Sequence, residues 1–236
     1  MDMGIAQLHS DPLAPFPAVS TAAIEPNGLL AWGGDLHPQR LLTAYRSGIF
    51  PWFNQGQEIL WWAPRPRAVL YPENVYISRR LARRMRSGKF RVSTDMAFAR
   101  VMSACASSRK EGTWITTEMQ AAYLKLKEMG FGHSIEVWDG DELIGGLYGL
   151  VIGKMYFAES MFSLAADASK IALVSLCKQL AAHDFPLIDC QMQSPHLESM
   201  GTVTISRKRY MEILKIATCD QAQPEDWQDW FDKPLP

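Results

Sequence analysis

The segment HSIEVWDGDELIGGLYGLVIGKMYFAES, residues 133–160, decides the fold. Alternating side chains at residues 134–138 predict a strand, Asp139-Gly140 predicts a hairpin turn, and residues 143–151 predict the returning strand. A Gly-Lys pair then turns the chain into a third strand at residues 155–160. This segment therefore predicts an antiparallel meander of three strands.

The sequence after the meander predicts a parallel addition to the same sheet. A helix opened by Asp167 or Ala168 runs to His183, and Leu187–Gln191 follows as a short buried strand. A strand–helix–strand order implies a right-handed parallel crossover. A short strand at residues 202–205 and a helix from Ser206 close the chain, so the expected class is α/β or α+β.

The sequence before the meander predicts three helices and a separate N-terminal part. Ser78 can cap a helix from Arg79 to about Gly88, Thr94 precedes a helix through Ala104, and Thr117 with Gln120 forms a capping box for a helix that ends at Gly130. Prolines break up the first ~65 residues. We therefore expect a small N-terminal domain at residues 1–64 and a larger domain at residues 65–236.

Composition limits the function classes. The 236 residues are 47% hydrophobic and 21% charged, which is typical of a globular protein, and the net charge of -1 excludes a uniformly basic coat for nucleic acid. The uncharged apolar stretch at residues 143–153 is too short to span a bilayer, and the N-terminus does not read as a secretory signal. Four scattered cysteines without a CxxC motif suit a cytoplasmic protein without a paired zinc site.

One helix concentrates positive charge. No acidic residue stands between Glu73 and Asp95, and Leu81 and Met85 give the helix an apolar stripe for docking. The basic residues of this segment are Arg79, Arg80, Arg83, Arg84, Arg86, Lys89 and Arg91. A solvated basic face is the alternative, but so local a concentration in a near-neutral chain favours phosphate contact.

Several tryptophans stand in Gly/Pro-rich segments instead of regular core elements. They are Trp32, Trp52, Trp61, Trp62 and Trp114. Packing between two domains explains any single one of them. Beside a basic helix, we expect at least one to stack on a nucleotide base.

Three polar residues fall at the ends of neighbouring strands. Glu159 lies near the end of the third strand, and Asp189 and Gln191 are expected to share one face of the next strand. A structural Asp189 with satisfied hydrogen bonds is the alternative. Because the carboxyl ends of strands that flank a crossover form a crevice, the three residues predict a site.

Other motifs are weak or missing. His196-Leu197-Glu198 has the H-x-E form of zinc deaminases, but no P-C-x-x-C follows it. The chain has no G-x-S-x-G, Walker A or G-x-G-x-x-G motif.

A set of motifs resembles the bacterial leucyl/phenylalanyl-tRNA–protein transferase family in order and spacing, from about residue 25 to 215. The matching motifs are GLLAWGGDL (28–36), GIFPWF (48–53), WWAP (61–64), WIT (114–116), HSIEVW (133–138), GGLYG (145–149), ESMFS (159–163), ASK (168–170) and DCQ (189–191). Ala158 stands where a glycine is expected, and Met200-Gly201-Thr202 replaces a Leu-Gly-Ala pattern. Neither departure touches a polar site residue.

The resemblance implies a reaction and a fold. Such enzymes move leucine or phenylalanine, and methionine less well, from tRNA to the α-amino group of proteins that begin with Arg or Lys, which marks those proteins for degradation. The implied fold is α+β: a small N-terminal α/β domain followed by an acyl-CoA N-acyltransferase-like (GNAT) domain. The acyl-CoA phosphate loop of that fold, Q/R-x-x-G-x-G/A, is missing here, which disfavours a CoA donor.

The resemblance and the residue patterns together suggest roles. Asp189 and Gln191 would hold the incoming amine and ease its deprotonation, and Glu159 would bind the basic N-terminal residue of the acceptor. Trp52 and Trp114 would hold the terminal adenosine of the tRNA. The seven basic residues of the segment around the basic helix would contact the backbone of its acceptor stem. The expected amino-acid pocket consists of Leu147, Tyr156, Met161, Leu173 and Leu176. No cofactor, metal or membrane contact is expected, and the protein is expected to be a monomer.

Three rival functions stay open at this point. An RNA-binding module would keep the basic helix and the tryptophans but would not need three clustered polar residues. A CoA-dependent N-acyltransferase would need the missing phosphate loop. A transferase that uses aminoacyl-tRNA on a small amine or a cell-wall precursor would differ only in its acceptor, and the residue patterns do not exclude it.

Overall fold

The computed structural model describes residues 5–108, residues 112–219 and Trp227, and it shows a mixed α+β protein with two sheets in this part of the chain. The predicted larger domain extends to residue 236, and its end lies outside the described residues. No helix within the described residues is both long and apolar enough to cross a membrane.

The first sheet is small and has the strand order β1-β2-β4-β3. Its strands are Ala6–Leu8 (β1), Leu29–Gly33 (β2), Phe50–Pro51 (β3) and Leu60–Trp62 (β4), and helix Pro38–Arg46 (α1) connects β2 to β3. β1 is parallel to β2 and the other pairs are antiparallel. Trp61 is fully buried, and its Nε1 donates to the Gly33 carbonyl at 2.9 Å, which ties β4 to the end of β2.

The second sheet contains the predicted meander and has the order β11-β5-β10-β9-β8-β7-β6. Its strands are Arg67–Leu70 (β5), Arg91–Thr94 (β6), Gly132–Asp139 (β7), Glu142–Ile152 (β8), Met155–Ser163 (β9), Leu187–Gln191 (β10) and Val203–Ile205 (β11). β7, β8 and β9 pair antiparallel, and β9 and β10 pair parallel. The predicted meander and its parallel addition are therefore confirmed.

Helices cover both faces of the second sheet. They are Arg79–Met85 (α2), Phe98–Ser107 (α3), Thr117–Glu128 (α4), Ala168–Ala182 (α5), Pro195–Glu198 (α6) and Arg207–Ala217 (α7). α5 packs on the face that carries Ile135, Val137 and Tyr156, while α3 and α4 pack on the face that carries Tyr148 and Phe157. Both faces are buried, which explains why β8 reads as a nearly continuous apolar run.

Several predicted boundaries were wrong, each for a local reason. The hairpin turn lies at Gly140-Asp141, because Asp139 still pairs with Glu142. α3 begins at Phe98 because the left-handed Asp95 (φ 58°) separates it from Thr94. α4 is capped by Thr116, whose hydroxyl accepts from Met119 N at 3.2 Å, and not by Thr117. Strands β5 and β6 were not predicted.

One continuous apolar core joins the two sheets. It contains Leu41 and Tyr45 of α1 together with Phe157 of β9 and Leu214 of α7. The Tyr45 and Phe157 rings meet edge to face with centroids 5.1 Å apart. The first sheet is therefore packed directly against the elements that position the site.

Trp227 covers part of the second sheet. Its ring lies nearly parallel to that of Tyr156 (15°, centroids 6.1 Å apart) and close to that of His133 (4.5 Å). Its Nε1 donates to Thr94 Oγ1 at 2.7 Å. This side chain is buried, so it closes the α5 face of the sheet above Tyr156.

Candidate functional site

The candidate site lies where strands β9 and β10 separate. Their parallel pairing runs from Leu187 opposite Met155 to Asp189 opposite Phe157 and goes no further. A bulge follows Asp189, and Gln191 adopts a left-handed backbone (φ 63°). The side chains of Gln191 and Glu159 bridge the gap, with Gln191 Nε2 donating to Glu159 Oε1 at 3.1 Å.

Asp189 lies behind this gap in a fully satisfied ion pair. The Arg67 guanidinium forms a bidentate ion pair with it: Nε donates to Oδ1 at 2.8 Å and Nη2 donates to Oδ2 at 2.7 Å. The Tyr210 hydroxyl donates to Oδ2 at 2.7 Å, and the Gln191 backbone N–H donates to Oδ1 at 2.9 Å. A carboxylate has about four lone-pair positions. Asp189 therefore has none left for a substrate, and one of its hydrogen bonds fixes the backbone of Gln191.

Arg67 is as deeply buried as its partner. Its guanidinium lies over the rings of Phe50 and Tyr210, 4.9 and 4.8 Å from their centroids, and donates to the Gly48 carbonyl at 3.1 Å. Burial alone would lower the pKa of Arg67, but the attraction of Asp189 outweighs it and raises that pKa above its usual value. Both charges of the pair therefore persist in the interior.

Glu159 is a buried carboxyl held by three donors. Oε1 accepts from the Tyr45 hydroxyl at 2.7 Å and from Gln191, and Oε2 accepts from the Tyr123 hydroxyl at 2.9 Å. Burial disfavours the charged form and raises the pKa of Glu159 from 4.5 to about 7, although the tyrosine hydrogen bonds oppose that rise. Glu159 is therefore a carboxyl that changes its charge near neutral pH.

Two cavities meet at this carboxyl. The first has a volume of about 210 Å³, and its apolar wall contains Leu147, Met161, Leu173 and Leu197. The second has a volume of about 190 Å³, and Trp52 and Trp114 stand in its wall with Phe50 and Met192. The residues common to both walls are Glu159, Cys190 and Gln191. The first cavity, called the apolar chamber below, and the second, called the aromatic chamber, thus share one polar boundary at these three residues.

The basic segment forms a surface on and beside α2. Leu81 is buried and anchors the helix, as the apolar stripe predicts. Arg80 Nη2 lies 3.0 Å from Asp167 Oδ1, and Arg84 Nε lies 3.8 Å from Asp167 Oδ2, so these two arginines hold the loop before α5.

The other basic residues differ in their contacts. Lys89 pairs with Asp139 at 2.7 Å, and Arg91 lies over the Trp138 ring at 5.1 Å. Among the described residues, Arg79, Arg83 and Arg86 have no ion-pair partner. Arg91 also has no ion pair there, but its guanidinium is held over the Trp138 ring, so the other three guanidinium groups are the most open to an outside anion.

Two family models match the chain. The model described as "Leucyl/phenylalanyl-tRNA protein transferase" covers residues 69–215, and the model of the N-terminal domain of the same family covers residues 34–65. The chain belongs to the leucyl/phenylalanyl-tRNA protein transferase family. This is a family of aminoacyltransferase enzymes, so the resemblance found in the sequence is confirmed.

Individual leucyl/phenylalanyl-tRNA--protein transferases are similar over almost the whole chain. The protein of Stutzerimonas stutzeri is 53% identical over 215 residues, which cover 90% of this chain and 95% of that one. The protein of Nitrosomonas eutropha is 51% identical over 232 residues and 98% of each chain. A solved structure, L-PGS from Bacillus licheniformis, covers 86% of this chain and 65% of its own at 9% identity, with a TM-score of 0.38, which is too low to assign the fold.

The structure brings together some of the residues expected from the transferase family and separates others. Leu147, Met161 and Leu173 line the apolar cavity, but Tyr156 and Leu176 do not. The Tyr156 ring lies across Gly149, where an added Cβ would stand 2.7 Å from it, and Trp227 covers it. Leu176 belongs to α5 and is buried in the core that this helix shares with the sheet.

Asp189 and Gln191 were expected to share one face of their strand, and that expectation was wrong. The bulge and the left-handed Gln191 send Asp189 inward to Arg67 and Gln191 outward to Glu159. The sequence patterns also did not reveal the partners Arg67, Tyr210, Tyr45 and Tyr123, which come from distant segments. Arg67 had no local signal either, because the strand β5 that buries it was not predicted.

Within residues 5–108, 112–219 and 227, no group of three or more His, Cys, Asp or Glu side chains is arranged to hold a metal ion.

Proposed function

We propose that this chain moves leucine or phenylalanine, and methionine less well, from aminoacyl-tRNA to the α-amino group of proteins that begin with Arg or Lys, and so marks them for degradation. The observation that carries the proposal is the junction of an apolar and an aromatic chamber at the Glu159–Gln191 pair. We further propose that it acts as a cytoplasmic monomer without a cofactor, with a small domain at 1–64 and a GNAT-like domain at 65–236.

The donor would occupy both chambers. The leucyl or phenylalanyl side chain fits the chamber lined by Leu147, Met161 and Leu173, and the terminal adenosine fits the chamber lined by Trp52 and Trp114. Stacking on an aromatic side chain contributes ~1–3 kcal/mol per base. The ester that joins the two parts then lies at the shared boundary, beside Glu159 and Gln191.

Positioning accounts for most of the proposed catalysis. The ester is already activated, and an α-amine with a pKa of ~7.7–8.0 is partly unprotonated near neutral pH. Orienting an amine and an ester supplies up to ~7–11 kcal/mol of the barrier. We therefore assign Asp189 the role of a positioning residue, because its lone pairs are all occupied and it fixes the backbone of Gln191. Gln191 then holds the incoming amine.

Glu159 is proposed to bind the basic N-terminal residue of the acceptor. Among the described residues, its Oε2 accepts one hydrogen bond, from the Tyr123 hydroxyl, so one lone pair remains for a cationic donor. A guanidinium or ammonium group beside Glu159 would favour the ionised carboxyl and offset the effect of burial. An acceptor with a neutral first residue provides no such compensation.

Label transfer tests the proposed function directly. The purified protein is mixed with tRNA that carries labelled leucine and with two peptides that differ only in an N-terminal Arg or Ala. We expect label on the Arg peptide alone, without any added cofactor. Equal labelling of both peptides would contradict the acceptor assignment, and bound tRNA without transfer to either peptide would point to a different amine acceptor.

The basic surface makes a second prediction, on salt dependence. Changing Arg79, Arg83 and Arg86 to alanine should weaken tRNA binding, because each arginine that neutralises a phosphate releases a counterion. The slope of log affinity against log salt should become shallower by about 0.9 for each phosphate that the variant leaves without a cationic partner. Filter binding between about 50 and 200 mM salt measures both effects.

The matched control for this prediction removes three exposed lysines from other helices, Lys125, Lys178 and Lys208, and so changes the net charge equally. We expect its salt slope to equal that of the wild type. A wild-type affinity that does not depend on salt would contradict the assignment of this surface.

A further inference from the structure

His196 lies in the wall of the apolar cavity that Glu159 and Gln191 also line. It belongs to the short helix α6, which is tied down on both sides. Gln193 and Thr202 exchange two hydrogen bonds across its ends, of 2.7 and 3.2 Å, and Leu197 packs against the core under α5. The fold therefore fixes α6, and with it the backbone of His196, at the rim of the cavity.

The imidazole of His196 is available to a ligand. In the described part of the chain, no group forms a hydrogen bond with its ring nitrogens, and the residue is exposed on one side. Partial burial and then the charge of Lys170 lower its pKa below the usual 6.5. The lowered pKa favours the neutral form of His196, whose imidazole carries a free lone pair.

In the described part of the chain, the two nearby carboxylates have other roles. Asp189 is saturated by four hydrogen bonds, and the remaining lone pair of Glu159 is assigned to the cation of the acceptor. Burial raises the pKa of Cys190, so it remains a thiol. Lys170 of α5 and Glu198 of α6 are the charged residues near His196, and Lys170 disfavours a second positive charge there.

We propose that His196 carries the proton that aminolysis must move from the attacking nitrogen to the ribose oxygen. The neutral amine attacks the ester carbonyl, and a C–N bond forms while the carbonyl oxygen takes the electron pair. His196 accepts one proton from the nitrogen. As the C–O bond to the ribose breaks, His196 returns that proton to the leaving oxygen, so the products are an amide and a free hydroxyl and no net proton is released.

The role rests on the proposed function, and it fits the requirements of the step. A nitrogen that has just attacked a carbonyl is more acidic than the free ammonium, so a base weaker than the amine can deprotonate it. The imidazole of His196 is such a weaker base, because its pKa is lowered from that of an ordinary histidine. Its open side allows small molecules to reach the same position.

Chemical rescue tests this role. Transfer by the wild-type chain is measured first and tests the proposed function by itself. With that transfer established, His196→Ala should lower kcat for the Arg peptide about 10²-fold, with the KM for leucyl-tRNA unchanged within about threefold. Added imidazole should restore at least about tenfold of the lost rate, in proportion to its neutral fraction as pH is varied, whereas sodium chloride at equal ionic strength should not.

Two further variants separate proton transfer from structure. His196→Gln keeps the size of the side chain but cannot carry the proton, so it should be as slow as His196→Ala. His183→Ala, at the far end of α5 from the cavity, should keep the wild-type rate with or without imidazole. A kcat for His196→Gln within threefold of wild type, or a loss in His196→Ala that imidazole does not relieve, would overturn the proposal.

Discussion

Asp189→Ala is expected to lower the free energy of unfolding by about 3–5 kcal/mol, because it leaves the Arg67 charge buried without its partner. The same change frees the backbone of Gln191, which Asp189 holds at 2.9 Å. A misplacement of about 1 Å in a reacting group can cost ~10²-fold in rate. We therefore expect single-turnover transfer to fall by about that factor, while the tRNA affinity of the folded protein stays within about threefold.

A double variant separates the two effects of Asp189. Arg67→Met with Asp189→Leu replaces the buried pair with apolar side chains, which is often neutral or stabilising. We expect this variant to regain most of the stability in urea unfolding but not the transfer rate. Recovery of the rate together with the stability would show that Asp189 has only a structural role.

Glu159→Gln is expected to change the pH dependence of stability. The pKa of Glu159 is raised from 4.5 to about 7 in the folded state, so the folded protein binds this proton more tightly than the unfolded chain does. The resulting stabilisation is complete below pH 4.5 and is lost as pH rises to about 7. At 1.36 kcal/mol per unit the loss is about 3 kcal/mol. Glutamine does not ionise, so the variant should gain up to that amount relative to wild type across this window.

The same variant should lose its preference among acceptors. A hydrogen bond to a charged group contributes about 1.5–3 kcal/mol, so the ratio of rates with Arg and Ala peptides should fall by about 10- to 100-fold. Glu136→Gln is the matched control, since Glu136 is also a buried glutamate but bonds Ser93 and Ser134 away from both cavities. If Glu159→Gln kept the preference for basic acceptors, the assignment of Glu159 would be wrong.

The sequence predicted the parts of this fold that local patterns determine. Alternation and turn residues located β7, β8 and β9, and the crossover rule placed β10 beside β9 in parallel. The unpredicted strand β5 has four residues and pairs with segments more than a hundred positions away. A strand of that length has no period to detect, and its existence depends on partners that a local pattern does not identify.

The candidate site was likewise predictable only where a local sequence pattern reveals it. Glu159, Asp189 and Gln191 could be proposed from the sequence because polar residues at the ends of apolar strands are unusual. Their arrangement was not found, because it depends on one left-handed residue and on contacts such as Tyr45 with Glu159, 114 positions apart. In the sequence, His196 stands out only as part of an incomplete zinc motif, because nothing nearby shows that α6 faces the cavity beside β9.

Because the two sheets share one core, the gene segments that encode them must be inherited together for the enzyme to keep its candidate site. Tyr45 and the Gly48 carbonyl, which contact Glu159 and Arg67, come from the connection between β2 and β3 of the first sheet, and Trp52 in the aromatic wall directly follows β3. A gene fragment that encoded the second sheet alone would specify a protein with an incomplete candidate site. Recombination between genes of related transferases should therefore exchange the segments for both sheets together. A first sheet from a distant relative would have to fit the Glu159 and Arg67 of the protein that receives it.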